Sequence, residues 1–303
     1  MGVPESSLGA LIGEALAGEA AAAQAAGASG YMARVLAQAT MPHSDPGPVL
    51  AWGRRNGLVE LYMQPGVAMK ADGAFESVGL PYGSIPRLLM AWVTTEAVRT
   101  KRAELVLGET LQDFLNALGL ARGGGPRGDI TRLRTQARRL FAASVHARYQ
   151  TDQREATVSY PIATRTDLWW DPKAHPDQLG LLPSTVTLGV EFFAEITDRP
   201  IPVDLSALRA LKRSPLALDL YTWLTYRYSY LRSATTVPWE GLLAQFGADY
   251  KRVADFKPRA TAALTKVAAV YPGARFEPTP SGLLLRPSAT HVPRLGGSGK
   301  HAG

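Results

Sequence analysis

From residue 79 onward, apolar residues recur at helical spacing, interrupted by short alternating runs that suit strands. Leu88, Leu89, Trp92, Val93 and Ala97 predict a helix running to Arg102, with Ser84 as its N-cap and Pro86 in its first turn. Glu104 to Leu107 then reads as a short extended segment. Leu111, Phe114, Leu115 and Leu118 predict a second helix, capped by Thr110 and stopped at Gly119. After the Gly123–Gly125 loop and Pro126, a third helix is expected from Asp129 to His146, with Ile130, Leu133, Ala137, Leu140 and Phe141 on one stripe. Val158, Tyr160 and Ile162, and then Thr185 to Leu188, alternate as the strands of a hairpin would.

The order then repeats. Ser214-Pro215 opens a helix carrying Leu216, Leu220, Trp223 and Leu224, and Val237-Pro238-Trp239 is the extended link. Trp239 to Phe246 forms a second helix closed by Gly247. Phe256, Ala260, Ala263, Leu264 and Val267 mark a third, running to Val270, before a hairpin from Phe276 and Leu283-Leu284-Leu285 that turns near Ser281-Gly282. Pro86 and Pro215 open the two units, and Gly119 and Gly247 close their second helices, at a nearly constant offset. That regularity favours a tandem repeat over coincidence. A helix-like run from Val203 to Lys212 leads into the second unit. Helix, strand, helix, helix, hairpin is the order of a winged helix. The fold class expected is therefore α+β, mainly α, with two tandem winged-helix units and an N-terminal arm. The boundaries are 1–78 for an Ala/Gly-rich segment and arm, 79–198 and 199–290 for the two units, and 291–303 for a tail. Within the arm, Leu8 to Ala28 can form a helix, Met41 to Pro48 reads as a loop, and Val59 to Val67 suits one or two strands.

Composition narrows the function. The chain has 303 residues, 46% hydrophobic and 19% charged, with 33 Lys plus Arg against 26 Asp plus Glu and a formal net charge of +7. Arg makes up most of the basic residues, and a planar guanidinium suits phosphate and guanine edges. Zero Cys excludes disulfide scaffolds, Cys-ligated zinc and thiol catalysis, and fits a reducing compartment. No apolar run reaches the roughly 18 residues of a membrane span. The N-terminus lacks the pattern of a secretion signal. A soluble, cytoplasmic, basic protein with an acidic partner is expected.

The surplus charge has a location. Between Phe114 and Thr151 there are seven arginines and one acid, Asp129. On the third helix of the first unit, Thr131, Arg132, Thr135, Arg138 and Arg139, with Gln136 and His146, lie off the apolar stripe, and Arg134 is at its boundary. A merely solvated face would mix signs in Glu–Lys pairs, so an almost uniform sign points to the major groove of duplex DNA. Arg122 and Arg127 stand on the glycine-rich loop before this helix. The second unit is milder. Lys257, Arg259, Thr261, Thr265 and Lys266 lie off the stripe, and Lys251 and Arg252 precede the helix. Arg132, Arg138, Arg139, Arg259 and Lys266 are the first candidates for base or phosphate contact.

Catalytic chemistry finds no foothold. Gly123 to Gly128 lacks the Gly-Lys-Ser/Thr of an ATP loop, and there is no His-x-His or Asp-x-Asp metal pair and no Gly-x-Ser-x-Gly elbow. Asp171, His175 and Asp177 are separated by prolines and read as a surface loop. Trp169-Trp170 and the Tyr221–Tyr230 aromatics read as core. Trp92, Tyr160 and Ile162 suit either a core or a dimer interface. No catalytic residue, metal or cofactor is expected.

Several strings resemble the RepA-type plasmid replication initiators. They are Gly79-Leu80-Pro81-Tyr82-Gly83-Ser84-Ile85-Pro86-Arg87, Trp92 to Lys101, Gly128 to Arg134, Asp167-Leu168-Trp169-Trp170, Leu208 to Tyr221, Trp239 to Phe246 and Leu283 to Ser288. The resemblance runs from about Tyr31 to Val292. It implies a tandem winged-helix protein that binds duplex origin repeats (iterons), melts an adjacent AT-rich tract, and recruits the host's replicative helicase and initiator. It also implies a homodimer that represses its own gene and a monomer that activates the origin. The residues by themselves reach only a basic, two-headed DNA-binding protein. A winged-helix repressor without origin melting, a nickase or primase, and a nonspecific DNA binder are the alternatives.

Overall fold

The structure, a computed structural model, describes residues 29–32, 41–56, 59–107, 116, 120, 129–151, 153–168, 184–198, 200–247 and 250–292. The expected second helix of the first unit, its glycine-rich loop, the N-terminal Ala-rich stretch, Trp169-Trp170 and the Asp171–Asp177 segment lie outside the described residues.

The first unit is built on helix α1 (Ser84–Thr100), whose Leu88, Leu89, Val93 and Ala97 are fully buried. Its N-cap is Gly83, with φ 77°, and no side chain caps it, so Ser84 is the first helical residue and not the cap. Helix α2 (Asp129–Ala142) packs against α1, burying Leu133, Ala137, Leu140 and Phe141. It stops at Ala142, short of His146. The chain then alternates, with Val145 and Ala147 buried, and becomes a strand.

That strand, β7 (Ser144–Gln150), pairs with β8 (Glu155–Pro161) and with the arm. Strands β2 (Trp52–Asn56) and β3 (Val59–Gln64) complete an antiparallel sheet in the order β2-β3-β7-β8. The alternation at Val158 and Tyr160 is therefore real, but its partner is β7, which pairs on its other edge with β3 of the arm. The hairpin beside α2 instead joins β9 (Ala163–Asp167) to β10 (Thr185–Leu188), and β6 (Glu104–Val106) adds to β10 in the order β6-β10-β9. Tyr160 and Ile162 belong to the core, and Trp92 packs partly buried against it. Strands β4 (Val67–Met69) and β5 (Phe75–Ser77) form a separate exposed hairpin. Helix α3 (Val190–Asp198), which periodicity did not reveal, packs on α1 through Phe192 and Ile196.

The run from Val203 to Lys212 is a strand followed by a helix. Strand β11 (Ile201–Asp204) pairs antiparallel with β1 (Ser29–Met32), and α4 (Leu205–Leu211) starts where the Asp204 side chain accepts from the Ala207 N–H at 2.8 Å. Helix α5 (Pro215–Tyr228) is capped by Ser214 as expected. Then come β12 (Thr235–Pro238), α6 (Trp239–Phe246) ending at Gly247, and α7 (Val253–Val270). The hairpin of β13 (Phe276–Pro278) and β14 (Gly282–Leu285) closes the unit, with strand order β12-β14-β13. The two three-stranded sheets thus share one topology: the strand after the first helix pairs with the last strand, which pairs with its hairpin mate. Of the Tyr221–Tyr230 aromatics, Tyr221, Trp223 and Tyr228 are core and Tyr226 and Tyr230 are half-buried; Tyr221 accepts from the Asp204 N–H at 2.9 Å and meets His291 Nδ1 at 2.7 Å.

The units meet at α1 and α5. Arg87, 3% exposed, donates to both carboxylate oxygens of Asp219, from Nε at 2.6 Å and Nη2 at 2.7 Å. Its remaining N–H groups reach the carbonyls of Gly83, Pro42 and Met41 at 2.6, 3.3 and 2.7 Å. His43 Nε2 lies 2.8 Å from Asp219 Oδ2. Burial alone would raise the Asp219 carboxyl, but the Arg87 charge and the hydrogen bonds from His43 and Arg87 outweigh it and hold it below the usual carboxylate range. The arm bridges the units a second time, where β2 packs on α6.

Candidate nucleic-acid interface

Helix α2 is sorted by face. Thr131, Arg132, Arg134, Thr135 and Arg138 are exposed, while Leu133, Gln136, Ala137 and Leu140 are buried. The buried stripe supplies the packing, and Gln136 adds a fixed point: its Oε1 accepts from the Tyr82 N–H at 2.8 Å. Gln136 therefore faces the α1 side and not outward. Thr135 Oγ1 donates to the Thr131 carbonyl at 3.0 Å.

Arg139 sits apart from its neighbours. Its Nη1 donates to Asp45 Oδ2 at 3.1 Å and to the Leu80 carbonyl at 3.2 Å, and the guanidinium lies 5.2 Å from the Tyr82 ring centroid. Gly79, at φ +85°, lets the backbone pass the guanidinium, since a Cβ there would come within 2.9 Å of Arg139 Cζ. Only 19% of the Arg139 side chain is exposed. The structure gives this arginine a structural task that the helical wheel did not anticipate. His146 likewise leaves the expected helix face: it is on β7, stacked on Tyr62 at 4.7 Å with Nδ1 2.6 Å from Ser159 Oγ. Arg122 and Arg127 lie outside the described residues.

Helix α2 packs on β9, which pairs with β10. Arg165 is exposed on β9. Sequence reading passed over it because an isolated Arg on a short strand carries no periodic signal.

Helix α7 offers less. Lys251, Arg252, Arg259 and Lys266 are exposed. Arg252 forms a bidentate pair with Asp255 at 2.8 and 2.9 Å, and the Arg252 hydrogen bonds hold the Asp255 carboxyl below its usual range. Lys257 Nζ lies 5.3 Å from the Trp239 ring centroid and donates to the Pro280 carbonyl at 3.2 Å. Trp239 Nε1 in turn donates to the Thr279 carbonyl at 2.9 Å, so Lys257 and Trp239 fasten α6 and α7 to the hairpin turn. Thr261 is half-buried, and its carbonyl accepts from Thr265 Oγ1 at 3.1 Å. Among the described residues, no group of three or more His, Cys, Asp or Glu could hold a metal, and no helix is long and apolar enough to cross a membrane.

These features define a mixed α/β protein with two three-stranded sheets of one strand order and two long helices, α2 and α7, that carry exposed basic residues. The sequence profile described as "Plasmid encoded RepA protein" matches residues 80–240, just over half of the chain, and the chain belongs to that family of plasmid replication proteins. The resemblance read from Gly79 onward is thereby established over this span. No curated protein matches the chain in sequence. Among solved structures, the chain is similar to a crystal structure of selenomethionine derivatives of domains 2 and 3 of RctB. The TM-score is 0.51 and the identity 10%, over 83% of this chain and 96% of that one. At that identity the likeness concerns the fold.

Proposed function

We propose that this chain initiates plasmid replication by binding iteron repeats in duplex origin DNA through two winged-helix units, with α2 and α7 as the groove-entering helices. The observation that carries the reading is the recurrence of one strand order, β6-β10-β9 and β12-β14-β13, beside a long helix whose outer face is basic. Family membership supplies the plasmid-replication setting. The two helices would enter successive major grooves about one turn, or ~10 bp, apart on the same side of the duplex. Arg132, Arg134 and Arg138 lead the contacts in the first unit, and Arg259 and Lys266 in the second. Thr131, Thr135, Lys251 and Thr261 border them. Bound in this way, the protein melts a neighbouring AT-rich tract and brings in the host helicase and initiator from the cytoplasm. It performs no covalent step. A homodimeric form represses the chain's own gene.

A footprint on the DNA flanking that gene tests the core of this reading. Expected are protected repeats with two groove contacts each, and permanganate-reactive thymines in the adjacent tract. Protected repeats with unreactive thymines would leave the repressor reading in place of the initiator one. Equal affinity for origin and random duplex at physiological salt would sink both. Nicking of supercoiled origin DNA in Mg²⁺ would make the protein an enzyme.

A further inference from the structure

The junction between the units is more ordered than simple packing requires. Arg87 lies in the first turn of α1 and Asp219 in the second turn of α5, each on the opening helix of its unit. The guanidinium uses all its N–H groups: two on Asp219, the rest on three backbone carbonyls. Two of those carbonyls, Met41 and Pro42, belong to the incoming arm, as does His43 on the far side of the carboxylate. Three chain segments therefore converge on one neutralised, buried hub.

A buried ion pair is a poor source of stability compared with apolar packing of the same volume. Its strength is direction. A bidentate guanidinium–carboxylate pair fixes angle as well as distance, which Leu-on-Leu contact does not. Helix α1 packs directly on α2, and α5 packs directly on α7, so the angle between α1 and α5 is passed to the two basic helices. Resting on the reading that both units bind duplex DNA, we propose that the Arg87–Asp219–His43 hub sets the separation and angle of α2 and α7, and so selects the spacing between the two DNA segments that one molecule recognises.

Two readouts test this on the full chain. The sequence has no cysteine, so T135C and T265C, both at exposed positions of the two helices, accept a single pair of spin labels. The distance distribution is expected to be narrow in the otherwise unaltered chain and broad in D219N. R87K, which keeps the charge and loses the fork, should broaden it as well, and serves as the readout should D219N fail to fold. For the second readout, duplexes recovered from a random library by the unaltered protein are lengthened by about two base pairs between the two contacted segments. That step turns one segment by about 70° around the duplex. The unaltered protein should lose most of its affinity for the lengthened duplex, while D219N and R87K should lose far less. Folded variants with a narrow distance and an unchanged spacing penalty would overturn the proposal. An unaltered protein that keeps a narrow distance yet shows no spacing penalty would defeat two-unit DNA binding, and with it the spacing half of the proposal.

Discussion

Helices α2 and α7 occupy matching places in the two units, yet they use their basic residues differently. On α2, three arginines (132, 134 and 138) are exposed, and only Arg139 is drawn inward. Around α7, Arg252 is paired with Asp255 and Lys257 is laid over Trp239, which leaves Lys251, Arg259 and Lys266 for outside use. Four basic residues on α2 and five on and just before α7 thus do different work. The first unit is equipped to attract a polyanion, and the second spends part of its charge fastening its own helix and hairpin. If both bind duplex DNA, the first should dominate affinity and the second should contribute mainly the second contact point.

The strongest test of that asymmetry compares R132A/R134A/R138A with R259A/K266A. The triple variant should lose about a hundredfold or more in affinity at moderate salt, and its log–log salt slope should shrink by about three. The double variant should lose about tenfold, with a change of about two in slope. Equal losses would erase the distinction between the units. A smaller effect, on stability, is expected from Gln136→Ala. It leaves the half-buried Tyr82 N–H without its acceptor and should cost about 1 kcal/mol in urea unfolding. Arg139→Ala should cost about 1 kcal/mol of stability, given its partly screened ion pair and ring contact. Its salt slope should stay that of the unaltered protein, and a slope lowered like that of R138A would return Arg139 to the DNA face. Lys257→Ala should cost about 0.5 kcal/mol in urea unfolding. The smallest effect concerns pH. Burial holds both His146 and His291 below the ordinary histidine value. The folded state therefore favours their neutral forms, and the stability they contribute is present above about pH 6.5 and lost as pH falls through their lowered values. Thermal melts at pH 7.5 and 5.5 should show a drop of about one degree that shrinks in His146→Phe.

The second unit was the easier one to read from residues. Ser214, Gly247 and the Ser281-Gly282 turn are local signals, and each lies where local rules put it. The first unit failed at its long-range contacts. Alternation at Val158 and Tyr160 revealed which side was buried but not that strand β3 of the arm lay beside β7. A helical wheel aimed Arg139 outward because Asp45, Leu80 and Tyr82 are remote in sequence. It also carried the helix past Ala142 into residues whose alternate burial marks a strand. Helix α3 escaped notice because only Phe192 and Ile196 are fully buried, with Phe193 packed partly against the core. Arg87 was passed over inside a motif valued for its resemblance, since nothing near it in sequence announces Asp219.

That last separation has a consequence for how the molecule comes into being. Arg87 and Asp219 are 132 positions apart, so during synthesis the first unit emerges long before its guanidinium can meet a carboxylate. Until α5 leaves the ribosome, the two Arg87 N–H groups that will meet Asp219 have only water for a partner, although the Met41, Pro42 and Gly83 carbonyls are already present. The two units are therefore not a pair of finished modules on a string. The pair that joins them closes only after Asp219 has been made, so the junction is the last part of Arg87's surroundings to form.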